Sequence, residues 1–225
     1  MFAASERALW GRWVAANTLA EMIGLGGSLA VGALYFSALD SMGAAGAIAG
    51  AVLAVLMGTF LEGVLVGWMQ WRVLRGPLPA LRWQSWMLAT AIGAGLAWVM
   101  GMTPSTIMAL AAPAPDPAAA AEAPQISAAL TYLLAAALGL AAGPVLGGAQ
   151  ALLLRRYVRG AGWWAAANAA AWLVGMPLIF AGMDIAFAIP RALIVLVVLA
   201  TTAAAGAVVG AIHGAALVRL LRARR

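Results

Sequence analysis

Cysteine is absent from the 225 residues, which excludes thiolate metal sites, disulfides and cysteine nucleophiles. A single histidine, His213, excludes multi-histidine metal sites and two-histidine haem ligation within one chain. Charge is scarce at 9% of residues, and lysine is missing: all 13 basic residues are arginine, against seven acids. There is no Walker-type loop, no metalloprotease helix, no rhomboid-like serine motif and no serine–histidine–aspartate grouping. The expectation is a protein with no catalytic residues and no metal, in which isolated serines such as Ser28 serve helix packing.

Apolar sequence, in contrast, is abundant. Hydrophobic residues make up 65% of the chain, and several runs exceed the ~20 residues that cross a hydrocarbon core. The pattern predicts an all-α integral membrane protein with six transmembrane helices, near 10–36, 44–73, 83–103, 126–155, 163–183 and 190–220. Breaks support this division: Asp40 and Ser41, the Gly-Pro-Leu-Pro at 76–79, the Ala/Pro-rich stretch at 112–124, Arg159 with Gly160, and residues 184–190. Residues 1–24 read as the start of a membrane helix, not a cleavable signal, since the apolar stretch is long and contains Glu21. The segment 104–125 is expected to be an external linker.

Orientation follows from the arginines. With alternating spans, twelve of them fall on one side and only Arg191 on the other, beside Asp40, Asp116, Glu122 and Asp184. That asymmetry places both termini in the cytoplasm. Clustering between apolar spans also explains the +6 net charge as membrane orientation, so no nucleic-acid partner is expected. Trp10, Trp13, Trp68, Trp71, Trp83, Trp86, Trp163 and Trp164 lie near those arginines and are expected to form an interfacial belt.

One line of sequence occurs three times: GVLVGWMQWRVLR at 63–75, GPVLGGAQALLLR at 143–155 and GAVVGAIHGAALV at 206–218. Gly63, Gly67, Gln70 and Leu74 match Gly143, Gly147, Gln150 and Leu154, then Gly206, Gly210, His213 and Leu217. Spans one and five match through WVAANTLAEMIG at 13–24 and WAAANAAAWLVG at 164–175, and span three more loosely through AWVMG at 97–101. The chain therefore reads as a single membrane domain of three tandem hairpins, about 10–75, 80–157 and 160–222. At roughly 100° per residue, the spacing 4, 3, 4 keeps each set on one seam, where glycine permits close helix approach and the amide can bond across it. Asn17, Glu21, Gly24 and Ser28 share this spacing, as do Asn168, Trp172, Gly175 and Ile179.

Glu21 and Glu62 are the costly residues. Counted at about 1.5 Å per residue from Arg12 and Arg72, both lie near mid-bilayer, where an ionised side chain costs about 2.5–3.5 kcal/mol. They are expected to face the bundle, close to each other and to Asn17, either as a proton relay or as acids that hold helices together. His213, flanked by Gly206, Gly210 and small neighbours, could ligate a haem or chlorin, and Gln70 and Gln150 a chlorin. The same three residues are also ordinary interhelical hydrogen-bonding groups.

GWMQWRVLR at 67–75 and GAGWWAAANAAAWLVG at 160–175 resemble a set of uncharacterised bacterial six-span membrane proteins with tandem G-x-x-x-G-x-x-Q-W-L-x-L-R lines. This chain departs from the pattern at Ala151 and in the third copy, which has neither the glutamine nor the arginine. The resemblance implies a bacterial inner membrane and brings no activity with it. Three functions are carried forward. The first is an accessory or scaffold subunit that packs through its glycine seams against other membrane subunits within the lipid bilayer. The second is a small proton-coupled transporter using Glu21 and Glu62. The third is a subunit binding a pigment such as a chlorin or carotenoid, or haem, at His213.

Overall fold

The structure, a computed structural model, describes residues 2–40, 42–111 and 126–223, and among these it contains helices and no strand. Six helices are long and apolar enough to cross a membrane. They are α1 (Ala4–Asp40), α2 (Ala44–Leu74), α3 (Trp83–Ala111), α4 (Ala128–Leu154), α5 (Trp163–Ala188) and α6 (Ile194–Arg222), the last preceded by a short 3₁₀ turn. Even the shortest, α5 with 26 residues, exceeds the ~30 Å hydrocarbon thickness at 1.5 Å per residue.

Two helices differ from the sequence expectation. Residues 104–111, assigned to the external linker, continue α3 through Pro104. Proline removes one backbone bond there, and on either side of it the hydroxyls of Thr103 and Thr106 donate to the carbonyls of Val99 and Met102. The remaining linker residues, 112–125, lie outside the described residues. In α2, the stretch Gly58–Gly63 is π-helical. This wider turn holds Glu62, and Gly58 at its start clears the Trp98 ring, which a Cβ would strike.

Helices α1 to α6 form a closed ring. Each packs against its neighbours in the chain, and α6 returns to pack along α1. All six contacts are antiparallel and most are glycine-mediated. A Cβ on Gly63 would lie 2.7 Å from Ala91 Cα, one on Gly143 2.5 Å from the Asn168 carbonyl oxygen, and one on Gly206 2.8 Å from that of Asn17. The intervening contacts follow the same logic: Gly24 meets the Glu62 backbone, Gly93 that of Leu146, and Gly175 the Val209 side chain. Backbones approach this closely because lipid provides no hydrophobic drive between helices, so van der Waals contact must. Phe60, Met108, Leu133 and Leu196 point outward, as a lipid-facing surface requires.

The start of α1 and the end of α6 lie at one end of the ring, where Glu6 accepts two bonds from the Arg222 guanidinium. Leu74, Leu154 and Leu217 converge there with Trp13, Trp86 and Trp164 and with Leu78, Leu81 and Val158 of the connecting turns. This apolar plug seals the ring at the arginine-rich end. At the opposite end, Arg191 donates to the Leu34 carbonyl and Tyr132 to Asp184. The lone outlying arginine thus ties the turn before α6 to α1.

Candidate functional site

Just inside the plug is a layer of amides and indoles. Three tryptophans with no exposed surface each donate an indole N–H to the polar residue of an adjacent helix: Trp86 to Gln70 (3.2 Å), Trp164 to Gln150 (2.8 Å) and Trp13 to His213 Nδ1 (2.8 Å). The last bond closes the ring from α1 to α6. These three tryptophans were expected in the interfacial belt, but their N–H groups have acceptors only on the axis, so they turn inward. Trp68, Trp83 and Trp163 remain exposed at the rim, and Arg72 stacks on Trp68.

The amides then bond to one another. Gln150 Nε2 donates to Gln70 Oε1 (3.0 Å) and Thr90 Oγ1 (2.8 Å), and Gln70 Nε2 donates to Asn17 Oδ1 (2.8 Å). Asn17 and Asn168 each donate back to the carbonyl of the tryptophan four residues earlier, Trp13 and Trp164. The network thus links groups far apart in sequence, and each amide orients the next. The sequence reading identified Asn17, Gln70, Gln150, Asn168 and His213. It missed Thr90 and the inward role of Trp13, Trp86 and Trp164. A signal existed: tryptophan precedes Asn17, Thr90 and Asn168 by four residues in each odd-numbered span.

Deeper in the ring lie the acids, Glu21 one helical turn beyond Asn17 and Glu62 about two turns beyond Gln70. Glu21 and Glu62 are buried, and Glu62 Oε2 accepts the Trp98 indole N–H at 2.7 Å. Glu21 Oε2 is buried with no hydrogen-bond partner, alone in this among the buried side-chain atoms of the described residues. No hydrogen bond joins Glu21 to Glu62 or Asn17 among the described residues. The three instead share the wall of one axial cavity with Gln70, Thr90, Gln150 and His213. The cavity measures about 20 Å³ as space for the centre of a water-sized sphere. That is room for a single water, which needs about 10–15 Å³ on this measure.

A macrocycle does not fit at His213. The imidazole is flanked by the Trp13 ring, edge-on at 5.6 Å between centroids, and by the tilted Trp164 ring at 5.3 Å. Its Nδ1 accepts from Trp13, so in the neutral ring Nε2 carries the hydrogen and has no lone pair for a metal. Gln70 Oε1 accepts from both Trp86 and Gln150, which occupies both of its lone pairs, while Gln150 Oε1 accepts only from Trp164. No group of three or more metal-ligating side chains occurs among the described residues. No family model, curated protein or solved structure matches this chain.

Proposed function

We propose that the chain is a small proton-coupled membrane carrier in which Glu21 and Glu62 hold and exchange the proton on the bundle axis. The observation that carries this reading is the Glu21 carboxyl oxygen, buried without a partner and facing a water-sized cavity shared with Glu62. A purely structural acid near mid-bilayer would have its oxygens bonded, as those of the amide layer are, because an unsatisfied buried group costs about 1–3 kcal/mol. Here one oxygen is left available, and a single water can bridge it to its surroundings. The cavity has room for nothing larger than a water, which suits a proton as the axial cargo, and the apolar plug lies between it and the arginine-rich end.

The same proposal includes three tandem hairpins, termini in the cytoplasm and residence in a bacterial inner membrane. The repeat is supported by the three equivalent indole bonds and by Leu74, Leu154 and Leu217 meeting in one cluster. Those bonds set the register of span three by Trp86 opposite Gln70, which replaces the looser match through AWVMG at 97–101. Orientation rests on the arginines gathered at the end that holds the start of α1 and the end of α6. Gly63, Gly67, Gly143, Gly147, Gly206 and Gly210, through which an accessory subunit would pack, meet neighbouring helices of this chain, which favours the carrier reading.

The test is proton flux. Purified protein in proteoliposomes, under a potassium diffusion potential and with a pH dye inside, should move protons faster than protein-free vesicles. Glu21→Gln and Glu62→Gln should return the rate to background. Wild-type flux at background, or unchanged flux in both variants, would end the proposal.

A further inference from the structure

A second, larger cavity of about 470 Å³ opens at the arginine-rich end, where α1 meets α6 and the turn after α2. This is within the 300–1,000 Å³ typical of small-molecule sites. Its wall is apolar at Leu9, Pro77, Val218 and Leu221, and basic at Arg12 and Arg222. The Glu6 carboxylate binds the Arg222 guanidinium in a two-bond fork, so that pair is neutralised. Arg12 is exposed and makes no hydrogen bond or ion pair among the described residues. The cavity therefore presents one uncompensated guanidinium against an apolar surface at the height of the headgroups.

We infer that this cavity is a binding site for an anionic phospholipid, with Arg12 on the phosphate and the glycerol backbone against Leu9, Val218 and Leu221. A guanidinium fork matches two phosphate oxygens, and basic pockets between helices on the arginine-rich side suit such headgroups. Location selects the lipid over a soluble phosphate, since the apolar wall would be wasted on a small hydrophilic anion. The location also suggests a purpose. The α1–α6 contact is the one neighbouring pair in the ring not joined by a connecting loop, and a lipid seated there clips the first helix to the last. This inference does not depend on the proton reading.

The experiment compares thermal unfolding in nanodiscs of phosphatidylcholine alone with discs containing phosphatidylglycerol, alongside native mass spectrometry of retained lipid. The anionic discs should raise the midpoint by about 3 °C, with one anionic lipid retained per chain. Arg12→Gln should abolish both effects. Arg219→Gln, which removes an exposed arginine outside the cavity, should leave them intact. If Arg12→Gln fails to fold, Leu9→Trp, which fills the cavity, tests the same site. Equal midpoints in the two discs, or a full response in Arg12→Gln, would overturn the inference. Glycerol phosphate that reproduces the full shift in phosphatidylcholine discs would assign the site to soluble phosphates and overturn the lipid.

Discussion

The two polar layers on the axis border one cavity and are built on opposite principles. In the amide layer, Gln70, Gln150, Asn17, Thr90, His213 and three indoles bond one another across all six helices. In the acid layer, Glu62 has one indole bond and Glu21 Oε2 has none. A polar group inside a membrane is tolerated when it is satisfied, and a satisfied network specifies one arrangement of helices. The amide layer is therefore what orders the ring. The acid layer contributes little to that order and retains an unused carboxyl oxygen, which is why function is placed there.

This contrast can be broken at several points. The largest effect should come from the close approaches that support both layers. Gly143→Leu drives a side chain into the Asn168 and Ala169 backbone and should cost 3 kcal/mol or more, about the upper end of overpacking penalties. Gly148→Leu, on the same helix with open space at its Cβ, should be nearly neutral. Unfolding midpoints in detergent give both values.

Next in size is a matched pair of substitutions, one in each layer. Gln150→Met strips the Trp164 N–H of its acceptor and Thr90 of a donor, and should destabilise by about 2 kcal/mol. Glu21→Met replaces a carboxyl with an unpaired oxygen by an apolar chain of similar length. It should leave stability unchanged or raise it by about 1 kcal/mol, while proton flux disappears. Similar losses in both variants would erase the distinction between the layers. The smallest effect belongs to His213→Gln, which installs the residue of the other two copies. A glutamine oxygen can still accept from Trp13, so the change should stay within about 0.5–1 kcal/mol; a loss beyond 2 kcal/mol would show that the imidazole is specifically required.

Much of this was legible in the residues themselves. Gly63 and Gly67, with their counterparts, announced close packing, and Gln70, Gln150 and Asn17 announced a polar seam, because spacing alone sets which positions share a helix face. Glu21 and Glu62 were conspicuous because a carboxyl within an apolar span is rare and costly. Trp13, Trp86 and Trp164 were misassigned since they neighbour arginines, and proximity in sequence to a headgroup anchor does not reveal which way an indole points. The Ala/Pro-rich composition drew 104–111 into the linker, although α3 continues through Pro104 to Ala111.

What the sequence determined by itself was the set of six apolar helices and their seams, since these depend on transfer energies and on a local period of 3.6 residues. Only the tertiary structure decided that the helices close into a ring and that α6 meets α1. It alone revealed that a π-helical turn carries Glu62 and that Glu21 keeps a lone oxygen beside a water-sized cavity. Those features arise from contacts between residues tens to hundreds of positions apart, which no local pattern encodes.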